Sequence, residues 1–278
     1  MKGCMRYVAA LLAVICLLGA AAAGLFACVT TERFALAAGS RPELLSMQQQ
    51  RIDAAAAALN EEWQLAPDVL GMWTAEAARQ QSEAVAAWWG ALWQDDAADA
   101  ALPMWLDADE EAILVADVRR DDGFRALTPE SRRKAIARDD VVYTLDKAVC
   151  DAVTPLRRSI LEAALDLART EVSLPGLRRA VITAGCALAG LAAVLLLLAR
   201  RMLGSALVSA GVVMALAALP VWLADVPGLL MQLNGVAALQ GRSLLGLAAR
   251  MWLGAAAALA ALGLVILGLK RLFRRKKA

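Results

Sequence analysis

Apolar and polar positions divide this chain into long uninterrupted runs at its two ends and short periodic stretches between them. Toward the C-terminus, residues 180–199, 202–224 and 251–269 are almost wholly apolar. Each is about 20 residues, enough for a helix to cross the roughly 30 Å hydrocarbon core of a bilayer. Near the N-terminus, Tyr7 to Val29 is apolar and uncharged over 23 residues. That is longer than the apolar region of a cleaved signal peptide and favours a retained span. The pattern predicts an all-α, four-span transmembrane protein, with residues 30–178 between the first and second spans.

Residues 30–178 show helical spacing and no alternating strand-like run. Ser40 followed by Pro42 reads as a cap and first-turn proline, opening a helix over about 42–64. Thr74 is the expected cap of a helix over about 75–94, and Pro103 breaks the chain. Asp107 starts another helix whose acids Asp109, Glu110 and Glu111 suit the positive end of its dipole, and which ends near Asp121-Asp122-Gly123. Thr128-Pro129-Glu130 starts a helix running through Ile136 and Val141 toward Val153. Pro155 separates it from a last helix over about 156–172, and Pro175-Gly176 punctuates the approach to the second span. The domains expected are therefore 1–29 (signal-anchor helix), 30–178 (helical outer domain) and 179–278 (three-helix membrane domain with a basic tail).

Composition supports a polytopic membrane protein: 60% of the 278 residues are hydrophobic. The net charge of +2 hides a segregation, because residues 30–178 hold 16 Lys and Arg against 26 Asp and Glu. The rest of the chain holds 13 basic residues and one acid, Asp225. With the N-terminus inside, the cytoplasmic side receives Lys2, Arg6, Arg200, Arg201 and the tail Lys270, Arg271, Arg274, Arg275, Lys276 and Lys277. The outer flanks receive Arg33, Arg178, Arg179, Arg242 and Arg250, so the balance of basic residues predicts both termini cytoplasmic and 30–178 extracytoplasmic. Trp222 and Trp252 then fall at the outer interface, where indole rings are favoured. The basic residues flank spans instead of forming a stripe on a folded domain, which argues against nucleic-acid binding.

The chain contains no histidine, which removes the commonest general base and metal ligand. Its five cysteines, at 4, 16, 28, 150 and 186, lack metal-ligand spacing, and only Cys28 and Cys150 could meet in an oxidising compartment. Leu25-Phe26-Ala27-Cys28 resembles a bacterial lipobox, from which the bulky Phe26 departs; the alternative is an ordinary helix end. Acids cluster at Asp95, Asp96 and Asp99, at Asp107 to Glu111, and at Asp121-Asp122. The second cluster has D-x-D spacing, but Ala112 occupies the position where a calcium loop needs glycine. No Walker loop, G-x-S-x-G or S-x-x-K stands in the outer domain. No cofactor and no metal is therefore expected.

Six of eight tryptophans, Trp63, Trp73, Trp88, Trp89, Trp93 and Trp105, fall between residues 63 and 105. They read as bundle core, with a lipid- or partner-facing surface formed by Trp88, Trp89, Trp93 and Trp105 as the functional alternative. Trp89 and Trp93 share a helix face and Trp88 points partly away. Within the spans, Gly19 with Ala23, Ser205 with Ser209, and Gly254 with Ala258 have the small-residue spacing of close helix contacts. Asp225 reads as an interfacial cap, and the segment from Pro227 to Leu239 as a short helix in the outer interface.

Glu111-Ala112-Ile113-Leu114-Val115-Ala116-Asp117-Val118 resembles the E-x-x-H-x-x-D-V pattern of the integral membrane family that contains the bacterial lipoprotein intramolecular transacylase. The order of one span, an outer domain and three spans is similar too. Glu111, Asp117 and Val118 match, whereas Leu114 stands at the histidine position and a later histidine has no counterpart. The resemblance implies shared topology with loss of the histidine chemistry. The leading expectation is a bacterial-type inner or plasma membrane protein, not an enzyme, whose outer domain binds an envelope protein or lipoprotein. The alternative is an outer-leaflet enzyme acting on lipid or lipoprotein, with Glu111 and Asp117 as its catalytic candidates.

Overall fold

A computed structural model describes residues 2–95, 103–135, 141–154, 173–223 and 235–275. Asp96, Asp99, Ile136, the expected helix over 156–172 with Pro155, Asp225, and the part of the expected interfacial segment before Gly235 lie outside the described residues. All described elements are helices, and no strand occurs among the described residues. The chain divides into two compact units, 1–31 with 172–232 and 244–278, and 32–171 with 233–243.

The first unit holds α1 (Lys2–Val29), α10 (Leu174–Leu198), α11 (Leu203–Leu223) and most of α12 (Gly235–Arg275). Three stretches are long and apolar enough to cross a membrane: Cys4–Val29, Leu174–Leu198 and Leu239–Leu272. In α11 the described apolar stretch is the shorter Leu203–Ala218. Pro175-Gly176, which punctuates the approach to the second span, sits in the first turn of α10, where Ser173 Oγ accepts the Gly176 amide at 3.0 Å. Proline is tolerated there because its missing N–H would have no partner anyway.

Helices α1 and α10 pack antiparallel along small residues. A Cβ on Gly19 would meet Leu188 at 2.7 Å, and one on Gly185 would meet Ala23 at 2.5 Å. One end of this pair is tied by Arg178 Nε, which donates to Thr30 Oγ1 at 3.0 Å. At the other end, Lys270 Nζ donates to the carbonyls of Arg200 (3.2 Å) and Arg201 (2.6 Å) in the turn after α10. The contact between α11 and α12 runs through Gly204, Gly211, Ala256, Ala260 and Gly263. Gly254, expected at a close contact, has nothing within 4 Å of its Cβ position, and Ser205 and Ser209 are exposed. Trp252 Nε1 donates to the Met214 carbonyl at 2.7 Å.

The 41 residues of α12 make a helix about 60 Å long at 1.5 Å per residue, roughly twice a hydrocarbon core. Its first turns belong to the second unit, where Gln240 Nε2 donates to the Val153 carbonyl (3.1 Å) and Ser243 Oγ to the Ala38 carbonyl (2.6 Å). The stretch expected to lie in the interface thus continues, from Gly235 onward, as the start of the last helix.

The second unit is built on α3 (Pro42–Glu62), α5 (Ala77–Gln94) and α9 (Val141–Val153), with α2 (Glu32–Gly39), α4 (Pro67–Thr74), α6 (Ala108–Arg120), α7 (Asp122–Ala126) and α8 (Pro129–Ala135) around them. Its core gathers Leu59, Trp63, Leu70, Leu114, Val118, Phe124, Val141 and Leu145, all buried. Three short helices, α2, α4 and α7, escape the sequence pattern. Helix α2 crosses α5 where Gly90 leaves room, since a Cβ there would meet Glu32 at 2.8 Å. Helix α4 starts at Pro67-Asp68, a first-turn proline and acid.

Caps differ in detail. Arg41, not Ser40, precedes α3, and Thr74 closes α4 by donating to the Leu70 carbonyl (3.2 Å) instead of opening α5. Asp107 does cap α6: its Oδ1 accepts the Asp109 and Glu110 amides (2.9 and 2.8 Å), and Glu110 Oε2 accepts the Asp107 amide (3.0 Å). Such a reciprocal pair satisfies donors that a helix start otherwise leaves open.

Candidate functional site

Helix α4 presents two cavities in the second unit. The first, about 390 Å³, is lined by Met72, Trp73, Gln80, Trp105, Leu106, Glu110 and Asp117. Glu110 and Asp117, seven residues apart on α6, fall on one helix face. Trp73 Nε1 donates to Asp117 Oδ2 at 3.3 Å, and the exposed Arg120 reaches Asp117 Oδ1 at 3.6 Å from outside the lining.

Trp105 is held there by the chain beneath it. The Asp146 carboxylate, 2% exposed, accepts the Trp105 and Leu106 amides through Oδ1 at 2.8 and 3.3 Å. Gln81 Nε2 donates to the Pro103 carbonyl at 2.7 Å, which fixes the loop on its other side. Burial holds the Asp146 carboxyl above the usual carboxylate range, although both amides and Cys150 oppose this. Cys150 Sγ lies 3.8 Å from Asp146 Oδ2, and burial first, then the neighbouring carboxylate, pushes its thiol up to about 12. A thiol so protonated is a poor nucleophile. All five cysteines, Cys28 and Cys150 among them, are free.

The catalytic candidates part company here. Asp117 lines the cavity and Glu111 does not, its neighbour Glu110 taking that place. Six residues apart on a helix, Glu111 and Asp117 point in directions about 120° apart. Leu114, at the motif's histidine position, is fully buried in the core.

The tryptophans also divide. Trp88, Trp89 and Trp93 sit together on α5, with ring centroids 6.4 Å apart for the first pair and 5.7 Å for the second. Trp93 is buried and the other two are half-buried. Trp105 stands apart from them, in the cavity with Trp73. Sequence spacing gave no hint of Trp73 as a site residue, because its partner Asp117 is 44 positions away.

The second cavity, about 420 Å³, lies between α3 and α4 and is lined by Asp53, Ala56, Ala57, Asn60, Glu61, Leu65, Pro67, Gly71 and Thr74. Asp53, Ala56, Ala57, Asn60 and Glu61 form one stripe of α3. Asn60 is 8% exposed and donates through Nδ2 to the Pro67 carbonyl at 3.0 Å.

No protein-family model, curated protein or solved structure matches the chain.

Proposed function

We propose that this chain is a four-span plasma- or inner-membrane protein, with both termini cytoplasmic, whose acidic helical outer domain docks a cationic segment of an envelope protein or lipoprotein. The three membrane-length helices and the distribution of basic residues support the topology. The docking reading rests on the cavity of Trp73, Trp105, Glu110 and Asp117. Indole faces and carboxylates together suit a guanidinium or ammonium group, which gains both charge pairing and cation–π attraction. The enzyme reading calls for Glu111 and Asp117 at one reacting centre, and the cavity contains only the second.

Met72, 71% exposed at the cavity wall, is the place for a photo-crosslinking side chain. In intact membranes it should capture a defined partner, and Asp117→Asn with Glu110→Gln should abolish the crosslink. A crosslink indifferent to both substitutions contradicts the docking site. A change in lipoprotein acylation on deletion of the protein supports the enzyme instead.

A further inference from the structure

The surface around Trp73 and Trp105 is more apolar than its two carboxylates suggest. Five large hydrophobic side chains stand exposed among the described residues of the second unit, and three of them lie at or beside this cavity. Met72 lines the cavity itself, and Met104, 56% exposed, directly precedes Trp105 in the chain. Ile113, 55% exposed, comes three residues after Glu110 and four before Asp117 on α6, so it shares the helix face that carries both acids. The other two, Leu36 and Tyr143, are on α2 and α9. Exposed apolar side chains that cluster mark an interaction site. Asp117 still has an oxygen to offer there. Its Oδ2 accepts the Trp73 Nε1–H, which holds the indole beside the acid, whereas Oδ1 meets the exposed Arg120 at 3.6 Å, longer than a hydrogen bond and readily displaced.

We infer that the occupant of this surface is a partner segment in which an arginine is flanked by large apolar side chains. This rests on the docking reading and names the chemistry of its partner. A guanidinium is planar, delocalised and weakly hydrated, so it lies on an indole face while its fork donates to a carboxylate. An ammonium is a compact, strongly hydrated charge and loses more on leaving water beside Met72 and Trp105. The apolar neighbours of the arginine cover Met72, Met104 and Ile113, which removes from water the surface that the fold leaves bare. Charge favours the same partner, since residues 30–178 carry 26 acids against 16 basic residues.

Three capped tripeptides separate the guanidinium from its apolar neighbours. Acetyl-Leu-Arg-Leu-amide, acetyl-Leu-Lys-Leu-amide and acetyl-Ser-Arg-Ser-amide are titrated by calorimetry into the full chain in phosphatidylcholine nanodiscs, with empty nanodiscs as the blank. Leu-Arg-Leu should bind saturably, and tighter than either of the others by about fivefold or more. Met72→Ser with Ile113→Ser should erase its advantage over Ser-Arg-Ser; both side chains are exposed, so the fold is spared, which helix content and melting temperature confirm. An advantage that survives in this double variant overturns the inference. A photo-crosslinking side chain at Ile113 that captures lipid or a second copy of the chain, and that Leu-Arg-Leu does not displace, gives the surface another occupant and does the same. Equal affinity of Leu-Arg-Leu and either other peptide, or no saturable binding of any of them, also overturns it. The docking reading itself falls only when the crosslink from Met72 ignores Asp117→Asn with Glu110→Gln.

Discussion

Gly123, in the first turn of α7, packs directly on the carbonyl oxygen of Gln64, with no space between them for a Cβ. Gln64 has a positive φ of 54° just past α3, the left-handed turn in which a helix commonly ends. The junction is fastened by Asp121, whose carboxylate accepts the Phe124 amide (3.0 Å) as the cap of α7 and the Ala66 amide (3.2 Å) from the chain beyond Gln64. Gly123→Ala must therefore push α7 away from that turn. A loss of about 1–3 kcal/mol is expected, read by denaturant or thermal unfolding of the purified protein. Gln64→Gly relieves the positive φ and should change stability by less than about 1 kcal/mol in either direction.

Asp146 gives the second unit a pH dependence. Its carboxyl is raised by burial, so between the ordinary carboxylate value and the raised one the folded chain holds a proton that the unfolded chain has lost. Stability then falls as pH rises through that window. Asp146→Asn keeps an acceptor for the Trp105 and Leu106 amides but cannot ionise. Comparing melting temperatures from about pH 4 to pH 7, the difference should move in the variant's favour as pH rises. Parallel profiles contradict this.

Cys150, with its thiol pushed up to about 12, should resist alkylation in the folded protein. Its thiolate fraction at neutral pH is roughly a thousandfold below that of an ordinary cysteine. Mass spectrometry after brief iodoacetamide treatment should find Cys150 unmodified until denaturant is added. Non-reducing electrophoresis of protein taken from its native compartment should show no Cys28–Cys150 linkage, in keeping with both thiols being free.

Two glycines in the membrane unit separate close packing from mere occurrence. A Cβ on Gly211 would lie 2.6 Å from the Ala256 carbonyl and 2.9 Å from Ala260, whereas Gly254 faces open space. Gly211→Val should lower thermal stability in detergent and loosen α11 from α12, while Gly254→Val is tolerated. Small residues matter in membranes where backbones approach.

Much of this architecture was legible in residue type. The apolar runs are long enough to read without context, and Asp107 with the acids after it announced the start of α6 because a helix start is a local matter of side chain to nearby amide and dipole. Tertiary features were not legible. Spacing alone marked Gly254 with Ala258, but which helix face meets a neighbour depends on rotation about the axis, and that selected Gly211, Ala256 and Ala260. Pro175-Gly176 marks the approach to the second span, but proline ends helices as well as starting them, and Ser173 decides that it opens α10. Helix α4 is only eight residues long, too short for periodicity to show, and both cavities depend on it. The Trp73–Asp117 pair follows from which helices meet, which no local pattern encodes.

The placement of the acidic unit outside the cytoplasm is the claim on which the functional reading stands. A cysteine reporter at Gly123 would strain the turn at Gln64, so the better position is Asp122, whose side chain is 99% exposed. With the five native cysteines replaced, Asp122→Cys is treated in intact cells with a membrane-impermeant maleimide. In a bacterial host with an outer membrane, the reagent must be small enough to enter the periplasm. Labelling before the inner membrane is permeabilised is the predicted result. Labelling that appears only after permeabilisation places residues 32–171 in the cytoplasm and contradicts the account.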